Sequence, residues 1–162
     1  MLTIPIKNKT LVVIPSEPLE EYEAKGLIGL REYYNPQNMF DKVYLFSPRE
    51  KNTREAYGMS VVPTGYYQLA DKIKKTGVSV VRAYGGFWAA DMACRNRVPG
   101  VPIIVSVHDP SPELIHQSVC YADYVFCVSE IVAQAAIKKG VEKERIRILP
   151  CLLYTSPSPR DS

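Results

Sequence analysis

Short runs of apolar, largely β-branched residues recur along the chain, separated by stretches with helical spacing or turn residues. This alternation constrains the fold more than any other feature. The runs are TLVVIP (10–15), KVYLFSP (42–48), VSVVRA (78–83), IIVSV (103–107), DYVFCVS (123–129) and ERIRILP (144–150). A run without polar alternation suits a strand buried on both faces, which is the habit of parallel sheets. Between the first two runs, Leu27, Leu30 and Tyr34 fall on one side of a helix that Asn35-Pro36 stops. Residues 51–58 read as an irregular connection, and Val61 and Val62 as a short extra strand. A helix with Leu69 and Ile73 inward follows, closed by Gly77. Further helices are expected from Gly86 through Arg97, over 113–121, and from a Ser129 cap to Lys139 with Gly140 at its end. The expectation is an α/β domain over residues 1–150: doubly wound and Rossmann-like, with a mostly parallel sheet and helices on both faces.

The stretch VPIIVSVHDPSPEL (101–114) focuses the search for a site. Its apolar strand ends on His108 and Asp109, and a helix opens after it with Ser111 as N-cap, Pro112 at the first position and Glu113 in the first turn. The carboxyl edge of an open α/β sheet is where such folds place ligands. His108 and Asp109 suit an acid/base or sugar-contacting pair, since imidazole and carboxylate both recognise hydroxyls. Equally, His108 can cap the strand and Asp109 can order the turn at Pro110. The residues alone leave both readings open.

Lys25-Gly26 and Tyr84-Gly85-Gly86 stand near strand-to-helix transitions, where glycine lets backbone approach a ligand. Neither fits GxGxxG or GxxxxGK[ST], so a dinucleotide or ATP site has no support, and a tight turn is the stronger reading for both. Arg82 closes a strand near the same edge, where a salt bridge is commoner than a phosphate contact. Phe87 and Trp88 read as core, Asp91 and Arg95 as an i,i+4 pair, His116 as a helical histidine, and Ser129-Glu130 as a helix cap. No GxSxG occurs.

With 162 residues, the chain is one domain's worth and long enough to bury roughly 70% of its unfolded surface. A formal charge of +3 does not argue for nucleic acid. Lys72, Lys74, Lys75, Lys138 and Lys139 fall at helix ends, where the macrodipole favours cations. Cys94, Cys120 and Cys127 lack metal spacing and lie in apolar segments, which suggests reduced thiols and no metal site. No signal peptide or membrane-spanning run is visible, so a cytoplasmic protein is expected. The last stretch, CLLYTSPSPRDS (151–162), breaks the pattern and resembles one reading frame of a sequencing adaptor. It is set aside as non-native, with the natural chain expected to continue past Pro150.

Taken together, REYYNP, VVRAYGG, VPIIVSVHD, ADYVFCVSE and RIRILP, in this order, resemble the amino-terminal, acceptor-side domain of a GT-B glycosyltransferase of the large retaining family 4. The resemblance covers about residues 11–150. It implies one half of a two-domain enzyme that moves a sugar from a nucleotide-sugar donor to a glycan or lipid-linked acceptor, without cofactor or required metal. His108 matches the family's histidine beside the donor sugar, and Asp109 the acid that often follows it. Tyr84, Gly85 and Gly86 match a cleft loop, and Ser129 and Glu130 a helix start near the cleft. Lys25 and Gly26 stand where a glycine pair usually approaches the donor phosphates, here with a single glycine. The resemblance also puts acceptor specificity in loops such as 16–25 and 48–59. The donor-binding domain that should follow is missing, so the chain alone is expected to transfer no sugar. The alternative is a stand-alone binding module or one subunit of a split transferase. Nothing supports nucleic-acid binding, and no basic amphipathic helix argues for membrane association.

Overall fold

The computed structural model describes residues 6–149. The segment set aside at 151–162 and the last residue of the final run, Pro150, lie outside the described residues. The elements in chain order are β1 (Ile6–Ile14), α1 (Leu19–Ala24), α2 (Leu30–Tyr34), β2 (Phe40–Ser47), β3 (Arg54–Ala56), β4 (Met59–Pro63), α3 (Leu69–Thr76), β5 (Val80–Tyr84), α4 (Trp88–Arg95), β6 (Ile103–Val107), β7 (Tyr124–Cys127), α5 (Glu130–Lys139) and β8 (Ile146–Ile148). They build one sheet in the order β3-β4-β2-β1-β5-β6-β7-β8. Every pairing is parallel except β3 with β4. The expected α/β architecture is present.

The apolar runs form central strands because both of their faces are covered. In β1, Val12 and Ile14 enter one core cluster while Leu11 and Val13 enter the other. Each of these side chains, fully removed from water, stabilises the fold by about 1.5–3 kcal/mol. Winding runs outward from β1 to β2 and β4, then returns across β1 to β5 and proceeds to β8. Right-handed crossovers therefore set the helices on opposite faces of the two halves. Leu19, Leu30 and Tyr34 of α1 and α2 belong to one cluster; Leu69, Ile73, Ala89, Met92, Val132 and Ala136 of α3, α4 and α5 belong to the other. The winding reverses between β1 and β5, which opens a crevice at the carboxyl ends of those strands.

Several local expectations are corrected. The first helix is two short ones, since Gly26 and Gly29 take φ of 71° and 77° between them. Residues 54–56, read as irregular, are a polar edge strand that pairs with β4. The helix over 113–121 is two 3-10 turns, Pro112–Leu114 and Gln117–Tyr121, and Ser111 makes no side-chain cap. The break falls at Ile115, which is buried, and at His116, whose N–H donates to the Gly86 carbonyl at 2.7 Å. His116 is thus a cap residue whose Nδ1 accepts from the Ser118 N–H at 3.1 Å, not a residue inside a helix. Helix α5 has the anticipated ends: Ser129 Oγ accepts from the Val132 N–H, and Gly140 closes it at φ 114°.

Candidate functional site

The loops after β1, β2, β5 and β6 meet at the switch point and enclose a cleft of about 410 Å³. Its lining includes Ser16 and Glu17 after β1, Arg49 after β2, Gly85 and Gly86 after β5, and His108 and Asp109 after β6. Phe87 and Trp88, at the start of α4, form one wall.

Gly85 is required by close approach. Its φ is +124°, and a Cβ there would lie 2.4 Å from Ser16 Oγ. That hydroxyl donates a short hydrogen bond to the Tyr84 carbonyl, and the Gly85 N–H donates to the Ser106 carbonyl at 2.9 Å. The neighbouring Gly86 is buried, and a Cβ would come within 3.2 Å of the Leu114 carbonyl oxygen. The Ser16 carbonyl collects two further donors, Trp88 Nε1 at 3.2 Å and Arg49 Nη1 at 3.4 Å. Arg49 also pairs with Glu17 at 3.3 Å.

His108 stands exposed on the rim, and its ring makes no hydrogen bond among the described residues. Partial desolvation against the sheet edge and the nearby Arg82 guanidinium lower its pKa below the ordinary 6.5, so the imidazole is neutral at pH 7. Asp109 is exposed; a side-chain hydrogen bond from Ser111, seconded by the Ser111 N–H that donates to Oδ1 at 2.8 Å, holds its carboxyl below the usual range. Asp109 therefore does order the turn at Pro110, and it lines the cleft as well.

Other candidates lie elsewhere. The Tyr84 ring is turned into the core at 3% exposure, packed on Tyr33 and Tyr34, so only the backbone of this residue borders the glycine turn. Burial pushes its phenol up to about 12, and its hydroxyl has no hydrogen-bond partner. Lys25 and Gly26 are exposed at the carboxyl end of α1, not at a strand-to-helix transition, and neither lines the cleft. Glu130 borders a separate groove of about 430 Å³, with Pro110, Pro112 and Ile131 of α5. That groove is slightly larger but has no glycine turn or imidazole. Ser129 does not line the cleft and is occupied with its cap. Arg82 meets no carboxylate among the described residues; it donates to Ser106 Oγ and stacks on the Tyr84 and Phe126 rings at 4.6 and 5.0 Å.

Glu17, Arg49, Phe87 and Trp88 were not singled out as site residues from sequence. Glu17 and Arg49 lie in the two loops, 16–25 and 48–59, where the resemblance leads one to expect acceptor specificity, but nothing local shows which side chain in such a loop faces inward. Phe87 is 49% exposed, and Trp88 hydrogen-bonds across the cleft wall, so the expectation of core packing fails for Phe87 and is incomplete for Trp88. Among the described residues, no group of three His, Cys, Asp or Glu side chains is placed to hold a metal. No described helix is long and apolar enough to cross a membrane.

A doubly wound sheet with a crevice at its switch point defines the class: an α/β domain of the kind that places ligands at the strand carboxyl ends. The sequence matches the family model described as Glycosyltransferase Family 4 over residues 10–156, and the chain belongs to that family. Solved structures of similar fold include the lipopolysaccharide outer core galactosyltransferase WaaB in its apo form. It has a TM-score of 0.56 at 14% identity, covering 86% of this chain and 44% of that one. HepE of Anabaena, in complex with UDP, has a TM-score of 0.58 at 16% identity, covering 88% and 44%. The UDP-GlcNAc 2-epimerase of Methanocaldococcus jannaschii has a TM-score of 0.52 at 10% identity, covering 86% and 45%. At these identities the likeness is one of fold. The chain spans less than half the length of each. Among proteins with curated descriptions, none matches the sequence.

Proposed function

We propose that this chain is the acceptor-side half of a glycosyltransferase that moves a sugar from a nucleotide-sugar donor to an acceptor, with retention of configuration. The observation that carries the reading is the meeting of His108 with the Gly85-Gly86 turn in one cleft, in a chain that belongs to Glycosyltransferase Family 4. The nucleotide-sugar donor is supported by HepE, a similar fold solved with UDP and glucose and with UDP-glucose.

In this reading the acceptor lies between Glu17, Arg49 and Phe87, and the donor sugar approaches His108 from a second lobe. A neutral imidazole offers both a donor and an acceptor nitrogen to sugar hydroxyls. Asp109 places a carboxylate where positive charge develops at the transferring carbon. Gly85 and Gly86 keep side chains out of the path of the reactants. Transfer needs groups from both sides of the cleft, so the 162-residue chain alone is inactive. A cytoplasmic site of action belongs to the same reading and is supported by free Cys94, Cys120 and Cys127.

The test is release of UDP from UDP-hexoses, with the product anomer read by NMR. The chain alone is expected to release none. The same polypeptide joined to a donor-binding domain is expected to turn over with retention, and His108→Ala to slow it by about a hundredfold. Turnover by the chain alone, an inverted product, or an unchanged rate in His108→Ala would each refute the corresponding part.

A further inference from the structure

The cleft's charges bear on which acceptors it admits. Glu17 and Asp109 bring two carboxylates to the lining against the guanidinium of Arg49, and His108 is neutral at pH 7. Arg82, behind His108, is turned to Ser106 and the Tyr84 and Phe126 rings and does not line the cleft. Arg49 is not a free cation. Its Nη1 lies 3.3 Å from Glu17 Oε2 and 3.4 Å from the Ser16 carbonyl, and its backbone N–H is fixed by Ser47 Oγ at 3.1 Å. The amino end of α4 lends only partial positive charge, and Asp91 in its first turn, paired with Arg95 at 2.8 Å, adds no cation to the cleft. An anionic group entering here would have to displace Glu17 from Arg49 and sit near Asp109.

A paired guanidinium and carboxylate suit a different ligand. The guanidinium keeps N–H groups that its two partners do not use, and the carboxylate keeps open lone pairs. Neighbouring hydroxyls of a sugar ring can accept from the first while donating to the second. Both side chains are within reach of solvent, at 46% and 35% exposure. Phe87, held edge-on by His116 at 5.5 Å, offers an apolar surface beside them for the C–H face of a pyranose.

We propose that Glu17, Arg49 and Phe87 form a subsite for an uncharged, polyhydroxylated sugar ring of the acceptor, with Glu17 as the residue that excludes phosphorylated acceptors. This inference rests on the transfer reading and adds the acceptor class to it. Phe87 supplies stacking area, Arg49 and Glu17 read adjacent hydroxyls, and the ion pair removes the positive charge a phosphate would need.

The chain carries one tryptophan, Trp88 on the cleft wall, so its fluorescence reports occupancy directly. The probes are methyl glycosides of glucose, galactose and N-acetylglucosamine, each against the corresponding 6-phosphate, with backbone amide shifts in the ¹⁵N spectrum to locate binding. At least one neutral glycoside is expected to shift residues 16, 17, 49 and 85–88, and its 6-phosphate to bind about tenfold more weakly. Glu17→Gln frees Arg49 and is expected to raise affinity for the 6-phosphate about three- to tenfold, reversing or levelling the preference. Arg49→Ala loses both ligands. Equal or tighter binding of the 6-phosphate by the natural chain, or no gain in Glu17→Gln, overturns this inference and leaves the transfer reading standing. No shift of cleft amides with any sugar overturns both.

Discussion

Replacing Gly85 with alanine tests whether the cleft is built on one backbone contact. Two costs arise. At φ +124° an L-residue lies outside the regions it tolerates, which costs about 1–3 kcal/mol. The new Cβ would stand 2.4 Å from Ser16 Oγ, so the hydroxyl must move and give up its bond to the Tyr84 carbonyl, which costs about 1 kcal/mol more. The sum is about 2–4 kcal/mol. With a urea m-value of about 2 kcal/mol/M, the midpoint should fall by roughly 1–2 M, read by Trp88 fluorescence. Gly26→Ala is the control: φ there is +71° with nothing within 4 Å, so only the conformational cost of about 1–2 kcal/mol applies. Ser16→Ala in the Gly85→Ala chain should cost little more, because the hydroxyl bond is already lost there and Ser16 Cβ lies at an ordinary 3.5 Å from the added carbon. If Gly85→Ala is no worse than Gly26→Ala, or if Ser16→Ala and Gly85→Ala destabilise additively, the contact does not hold the cleft and the reasoning fails.

Two further outcomes follow from charge and burial. The His108 imidazole should titrate below the ordinary 6.5 in an NMR pH series, and Arg82→Gln should move its midpoint upward. Because the folded pKa is lowered, His108 favours the folded state above 6.5 and this contribution is lost as pH falls through the folded midpoint; a midpoint above 6.5 would contradict the partial desolvation of the ring and the placement of Arg82. Tyr84→Phe removes a buried hydroxyl that has no partner while keeping the ring contacts, so thermal unfolding should show unchanged or higher stability, by up to about 1–2 kcal/mol. A clear loss of stability would mean that the hydroxyl is bonded after all.

The sheet was legible because its central strands carry their burial in their composition. Leu11, Val12, Val13 and Ile14 are apolar in succession, and a parallel strand covered on both faces is the structure that uses them all. Strand β3 was not legible: Arg54, Glu55 and Ala56 hold their place by backbone pairing at an edge, with no apolar period to read. The stretch 113–121 has helix-compatible residues, but burying Ile115 and bonding His116 to Gly86 draws it into two tighter turns, a tertiary demand that propensity does not encode. Strand ends located His108, Asp109 and the glycine turn. They misplaced Lys25 and Gly26, because α1 intervenes and carries them away from β1. Glu17 and Arg49 could not be picked out of their loops. Arg49 is held at the cleft by the Ser16 carbonyl, 33 residues away in sequence, and by Glu17 beside it.

The two sides of the cleft are built differently, and that difference bears on how it works. On one side Ser16 ties three strand ends together. Its hydroxyl closes on β5 through Tyr84, and its carbonyl receives α4 through Trp88 and the β2 loop through Arg49. The Gly86 carbonyl is held in turn by His116. Each bond fixes backbone, so Glu17, Arg49 and Phe87 are presented from a frame set before any ligand arrives, which lowers the ordering cost of binding. On the other side the His108 ring is unbonded and Asp109 is restrained only by its own turn. An acceptor subsite gains from rigidity. A group that must adjust to a donor on a separate lobe gains from an unengaged imidazole. Under the proposed transfer reading, the rigid frame is the acceptor side and the unbonded His108 ring the donor side.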